Sequence, residues 1–252
     1  MAQSIDQQVR PASLKWLRLV FITLLLLGIC LRFTALDRKV YWHDEVYTSL
    51  RAAGFTRDEI DQQLFQNHFV TVPELQRFQQ IKSGSTVVDT LRSLIQEDPQ
   101  HPPLYFVIAR YWMHAFGASI FASRLLPALI SLISLFLIYG LAMELFCSRS
   151  TALLATVFLA LSPFDVLFAQ TARQYSLLTA TVIGSSWLLL RAMRTRTGSR
   201  WVGYGMSLAI GLYTHPFLGL TLIAQATYVM FMAILKPLNP KTPIWVRWRD
   251  SR

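Results

Sequence analysis

The chain has 252 residues, 53% hydrophobic and only 15% charged, which excludes an ordinary soluble domain and predicts an all-α, polytopic membrane helix bundle. Its net charge of +10 invites a nucleic-acid reading, but the distribution argues against a nucleic-acid partner. Residues 37–98 carry ten acidic and seven basic groups, and the basic excess elsewhere gathers at the ends of apolar segments, as topology signals do.

The first predicted span, 16–36, contains LVFITLLLLGICL. It is longer than a signal-peptide core and no small-residue cleavage site follows it, so it reads as a retained anchor. Just beyond it lies Trp42-His43-Asp44-Glu45, two adjacent carboxylates where a membrane helix leaves the bilayer. Neighbouring residues point in different directions on a helix or strand, so the two carboxylates are expected to divide their tasks. One would act as a general base while the other orients a ligand or binds metal. The plain alternative is a solvated acidic pair at a helix start, where carboxylates meet the positive end of the dipole.

Residues 37–123 are predicted to be a large helical loop rather than a disordered one. Thr56-x-x-Glu59 and Thr71-x-x-Glu74 have capping-box spacing and each predicts a short helix. Ser85 is the expected cap of a third helix, with Val87, Val88, Leu91, Leu94 and Ile95 on one face. Asp98-Pro99 ends it, because the residue before proline is pushed out of helical geometry. In His101-Pro102-Pro103 the prolines start a further helix, and His101 is either a ligand or a turn cap. Residues 102–116 are apolar but short, and they contain Arg110 and His114.

The remaining spans are predicted at 125–146, 151–168, 174–191, 201–214 and 217–235, making six in all. The fifth is short, and either borrows from its flanks or is re-entrant. Charge parity decides whether 102–116 crosses. If it does not, Arg10, Lys15, Arg18, Arg149, Arg191, Arg194, Arg196, Arg200, Lys236 and Lys241 share one side. The positive-inside rule then makes 102–116 interfacial, the N-terminus cytoplasmic and the 37–123 loop extracytoplasmic.

Under that topology Arg173, in FAQTARQYS, lies in a short outer loop between the third and fourth spans. Its guanidinium either takes a phosphate bidentately or contacts lipid headgroups. Gln170, Gln174 and Tyr175 are its polar neighbours, and His215, in Tyr213-Thr214-His215-Pro216, occupies the other short outer turn. His215 is either a site residue or a turn residue. Cys30 and Cys147 suggest no disulfide and no zinc, and burial is expected for both. Inside the spans only Glu144 and Asp165 stand out as acidic, both near predicted ends, which argues against a transporter.

Four segments carry a further likeness: WHDE; DTLRSLIQEDPQHPPLYFVIARYWMHAFGASIFASRLLPALISL; LSPFDVLFAQTARQYSLL; and YTHPF. In this order and spacing, over about residues 15–235, the chain resembles the family 39 glycosyltransferases. These are the GT-C-fold protein mannosyltransferase and aminoarabinose-transferase-like membrane enzymes. The resemblance implies a polyprenyl-phosphate sugar donor, inverting transfer to an acceptor outside the cytoplasm, and a multi-pass plasma-membrane enzyme. It implies Asp44 as base with Glu45 beside it and Arg173 on the leaving phosphate; His101, Tyr175 and His215, read from the residues themselves, are the further substrate-binding candidates. Family members often carry a carboxylate just before the arginine. Here Gln170-Thr171-Ala172 has none, so no divalent metal is required, and Asp165 is the substitute ligand if one binds. Such enzymes usually have more spans, so the likeness is to their N-terminal half. The domain expectation is a cytoplasmic segment 1–15, a GT-C-like membrane domain 16–235 and a basic cytoplasmic tail 236–252, read as truncated. The alternative function is a non-catalytic or split-enzyme subunit that binds a lipid-linked sugar beside a separate C-terminal half, or an inactive fragment.

Overall fold

A computed structural model describes residues 11–235 except 67 and 68, with side chains from Trp16 to Ile234. Residues 1–10 of the expected cytoplasmic segment 1–15 and the basic tail 236–252, with Arg10, Lys236 and Lys241, lie outside the described residues, as does the side chain of Lys15.

The described residues are helical, with no strand among them. In chain order they form α1 (Pro11–Phe33), α2 (His43–Ala53), α3 (Arg57–Leu64), α4 (Val72–Gln76) with a 3-10 turn (Arg77–Gln79), and α5 (Val87–Glu97). There follow α6 (Leu104–Phe116), α7 (Ile120–Phe146), α8 (Arg149–Leu161), α9 (Pro163–Ala169), α10 (Tyr175–Thr195), α11 (Gly198–Leu212) and α12 (Leu218–Leu235). The bundle is built on α7, which packs against α8 and α10, while α1 packs on α8 and α10 on α11 and α12.

Among the described residues, α1, α7 and α10 are long and apolar enough to cross a membrane, and α8 with α9 makes a fourth candidate if that bent pair is one span. Six were expected. The predicted span 151–168 is broken by 61° at Ser162-Pro163, because proline has no N–H to continue the helical ladder. The predicted span 201–214 is α11, whose 15 residues make a helix only about 22 Å long. The 102–116 segment forms α6, which is not among the candidate spans.

Cys30 and Cys147 are exposed, not buried. An apolar side chain on a membrane helix can face outward, where lipid rather than protein covers it.

Between α1 and α7 lie α2 to α6. Thr56 and Thr71 form the two expected capping boxes with Glu59 and Glu74. The third cap is Thr86, not Ser85: Thr86 Oγ1 accepts from Val88 N at 3.2 Å and Asp89 closes the box. Ser85 is held elsewhere, its carbonyl and hydroxyl oxygens accepting from Arg110 Nη2 at 2.8 and 2.9 Å. Helix α5 ends at Glu97 with Asp98 as its C-cap, as the following proline requires. Of its apolar face only Leu94 is buried, while Val88 and Ile95 are exposed. Helix α6 buries Tyr105, Phe106, Ala109, Arg110 and Met113, one face at helical spacing, in a core with Ala52, Ala53 and Leu126. Arg110 therefore sits inside the protein, where it bonds Ala52 O, Thr90 Oγ1 and Ser85.

Candidate active site at the mouth of the bundle

Helix α2 starts directly after Trp42, which is extended (φ −90°, ψ 169°) and serves as N-cap. Asp44 and Glu45 therefore fall in the first turn, about 100° apart around the helix, and they part company. Glu45 is 1% exposed. Its Oε1 accepts from Arg124 Nε at 2.8 Å and from the Ala172 backbone N–H at 2.7 Å. Its Oε2 accepts from Arg124 Nη2 at 2.7 Å and from Trp42 N at 3.3 Å. Arg124, at the start of the second turn of α7, gives its other N–H groups to the carbonyls of Leu36, Lys39 and Val40, at 2.7, 3.0 and 2.8 Å. One buried, bidentate ion pair thus ties α2 and α7 to the strand of chain leaving α1 and to the loop before α10.

Asp44 points the other way. Its side chain is 34% exposed, with Oδ1 3.5 Å from His43 Nδ1 and Oδ2 3.9 Å from Arg173 Nη2. Arg173 is buried in the 170–174 loop, where its Nη1 donates to Thr48 Oγ1 at 3.2 Å and to Asp44 O at 3.4 Å. Arg173 Nε, Gln174 Oε1 and Ser176 Oγ, clustered on the same short stretch of chain, are buried with no protein hydrogen-bond partner. Such groups are costly to leave unpaired in a folded interior and commonly mark a place where a polar ligand belongs.

His101 enters from the turn that Pro102 and Pro103 stiffen ahead of α6. Its backbone N–H donates to Asp98 O at 2.9 Å, and its Nδ1 lies 3.4 Å from Gln174 Nε2. Burial, reinforced by the Arg173 charge, pulls its pKa below the usual histidine value, so the imidazole is neutral at pH 7. Taking the Gln174 amide nitrogen as the donor to Nδ1 assigns the ring proton to Nε2. The Leu104 N–H donates to Tyr213 O at 3.0 Å, which draws this turn against the one carrying His215.

Asp44, His101 and Arg173 line one cavity of about 480 Å³. Its other walls are His43, Tyr47, Arg51, Arg57, Asp58, Glu97, Asp98 and Phe106. Arg51 is buried between Glu97 and Asp98, with its Nε 2.7 Å from Asp98 Oδ2. Carboxylates, guanidinium groups and two aromatic rings around one open cavity suit a hydroxyl-rich ligand with an anionic group.

The other expected residues stand further back. Tyr175 lies under the Arg173 guanidinium, 5.9 Å from its ring centroid, and His215 lies a further 6.4 Å from Tyr175, ring to ring. His215 Nδ1 accepts from Phe217 N at 3.1 Å, so part of its work is to shape its turn. Burial lowers its pKa as well. Gln170 is outside the cavity: it bonds Lys39 and the carbonyls of Leu31 and Thr34, pinning the loop to the end of α1. Asp165 is engaged by Arg32 and does not reach the cavity. Among the described residues no three His, Cys, Asp or Glu side chains converge as a metal-binding group.

Sequence reasoning missed Arg124, Arg32 and Thr48. Arg124 carried a signal, since it stands in the FASRLLPAL stretch of the family likeness. Arg32 carried one too: it is a cation within the first predicted span.

A helical bundle with membrane-length apolar helices and a cavity lined by carboxylates and guanidinium groups defines a class, the helical membrane proteins. The model of the dolichyl-phosphate-mannose-protein mannosyltransferase family matches residues 100–246. That is more than half of the chain, and the chain belongs to this family of membrane glycosyltransferases. The match includes His101, Arg124 and Arg173, while Asp44 and Glu45 precede it. No curated protein and no solved structure matches the chain.

Proposed function

We propose that the chain transfers a sugar from a polyprenyl-phosphate donor to an acceptor at the extracytoplasmic face of the cell membrane, with inversion and with Asp44 as base. One observation carries this reading. A half-exposed carboxylate, Asp44, and a buried guanidinium, Arg173, face each other at 3.9 Å on a polar cavity. Membership of a family named for dolichyl-phosphate mannose supports a lipid-phosphate donor.

The chemistry follows from the pair. The acceptor oxygen attacks the anomeric carbon and a new C–O bond forms as the bond from that carbon to the phosphate oxygen breaks. The acceptor proton passes to Asp44, and the leaving electron pair stays on the phosphate. Arg173 binds that phosphate, and its negative charge grows as the bond breaks. An anomeric carbon does not fit between groups 3.9 Å apart, so the donor phosphate must draw Arg173 away from Asp44. Substrate binding then both engages the guanidinium and opens the carboxylate to the acceptor. Neutral His101, with its Nε2–H free to donate, suits a phosphate or sugar oxygen. Glu45 touches no substrate in this account; it fixes the backbone beneath Asp44 and Arg173.

The charge pattern supports the orientation. Arg191 and Arg194 lie near the C-terminal end of α10 and Arg173 just before its start, about 30 Å apart along the helix. Basic residues favour the cytoplasmic end, which supports a cavity outside and an N-terminus inside.

Purified protein in liposomes, supplied with polyprenyl-phosphate mannose and a membrane extract as acceptor source, tests the reading. It should release polyprenyl phosphate and form a product of opposite anomeric configuration, and Arg173→Ala should slow release at least tenfold. Retained configuration, or release unchanged by Arg173→Ala, would overturn it.

A further inference from the structure

The strongest feature outside the cavity is a charged pair inside the bundle. Arg32, fully buried near the end of α1, pairs with the nearly buried Asp165 of α9. The two sit where α8 breaks from α9. Pro163 has no N–H, so Leu159 O loses its regular helical donor and keeps only the tighter Ser162 N–H at 3.2 Å, and poorly satisfied backbone at membrane depth is costly. The Arg32 guanidinium donates to Leu159 O, to its neighbour Ala160 O, and to Gly28 O at 2.8 Å on its own helix. Asp165 meanwhile occupies the first turn of α9, where Ser162 caps the helix.

The approach is close enough to require glycine. A Cβ on Gly28 would stand 2.6 Å from Ala160 O, so α1 and α8 touch backbone to backbone there. That contact brings Arg32, one helical turn further on, to the break. From α9 the chain runs only from Gln170 to Arg173 before the site. Gln170 ties it again to Leu31 O of α1 and Thr34 O just beyond it, and the Ala172 N–H reaches Glu45.

An ion pair this deep gains little stability over a well-packed apolar pair. What it adds is direction, because it fixes one bent helix against one anchor at a set angle. We propose that Arg32 and Asp165 are a positioning pair: they lock the α8–α9 break to the outer end of α1 and thereby set where the 170–174 loop presents Arg173. The locking follows from the contacts alone; its value for catalysis rests on the transferase reading above.

Hydrogen exchange of the full chain in detergent, read by mass spectrometry, separates the two. Exchange of residues 169–174, which include the Glu45-bonded Ala172 N–H, should quicken about tenfold or more in Asp165→Asn, with α7 and α10 unchanged. The double variant Arg32→Leu with Asp165→Leu, which buries no lone charge, should show the same local loss. Unchanged protection of the loop in either folded variant, or equal loosening throughout α7 and α10, would overturn the proposal. Turnover supplies the second reading. Asp165→Asn should slow transfer about tenfold in the wild-type background and less than twofold in an Arg173→Ala background. Equal factors in both backgrounds would refute action through Arg173. If Arg173→Ala itself leaves transfer unchanged, the transferase reading falls, and hydrogen exchange still decides the lock.

Discussion

Asp44 and Glu45 share a helical turn but live in different solvents, and that separation sets their chemistry. Glu45 has four hydrogen bonds and almost no exposure, whereas Asp44 meets the cavity. Glu45→Gln leaves Arg124 buried without its counter-charge, which should lower stability by about 3–5 kcal/mol. Thermal unfolding in detergent would show this as a clear drop in Tm, and an unchanged Tm would refute the linking role. Asp44→Asn should leave Tm nearly unmoved, since only a partly exposed and weakly paired carboxylate changes. His101 gives a pH signature. Its folded pKa lies below its unfolded value, through burial, then Arg173 and Arg51, opposed by Asp98 and Asp44. The unfolded chain then binds more protons as pH falls through about 6.5, so stability should decline with acidification in that window. His101→Gln should flatten the decline in part, because His215 is displaced in the same direction. A decline of the same steepness in the variant would show that His101 does not contribute. The sequence made Asp44, His101 and Arg173 visible because each sits in a short polar motif beside an apolar run. It could not show which carboxylate turns inward, because the deciding partner, Arg124, is 79 residues away.

At the level of elements, local chemistry was legible and breaks were not. The Thr56 and Thr71 boxes follow from a four-residue pattern, and so does the end of α5 before Pro99. The third start slipped by one residue because Ser85 and Thr86 both cap well, and Arg110, recruited from α6, claims Ser85. The span at 151–168 looked continuous because hydropathy does not register the missing N–H of Pro163. Helix pairing was also hidden, although one contact is sharply defined. A Cβ on Gly140 of α7 would lie 2.7 Å from the Trp187 ring of α10. Gly140→Ala should therefore destabilise the bundle by about 1–3 kcal/mol through overpacking, seen as earlier thermal aggregation. Equal stability would mean that α7 and α10 separate more freely than their packing implies.

For the whole molecule, composition alone declared a membrane protein, and the placement of charge separated a basic end from an acidic loop. The cavity arises where α2 and the start of α3 meet the end of α5, the His101 turn into α6 and the loop into α10, with the α1 exit and α7 bracing it from behind. None is a site alone. The Glu45–Arg124 pair gathers them, and the family match spans the residues that build the far wall. The measurement that bears most directly on the account is single-turnover transfer from polyprenyl-phosphate mannose by the wild type and Asp44→Asn, with donor binding measured in parallel. The account predicts that Asp44→Asn binds donor within a few-fold of the wild type while transfer falls by about 10²–10⁴. Transfer at the wild-type rate by a donor-bound Asp44→Asn protein would contradict it.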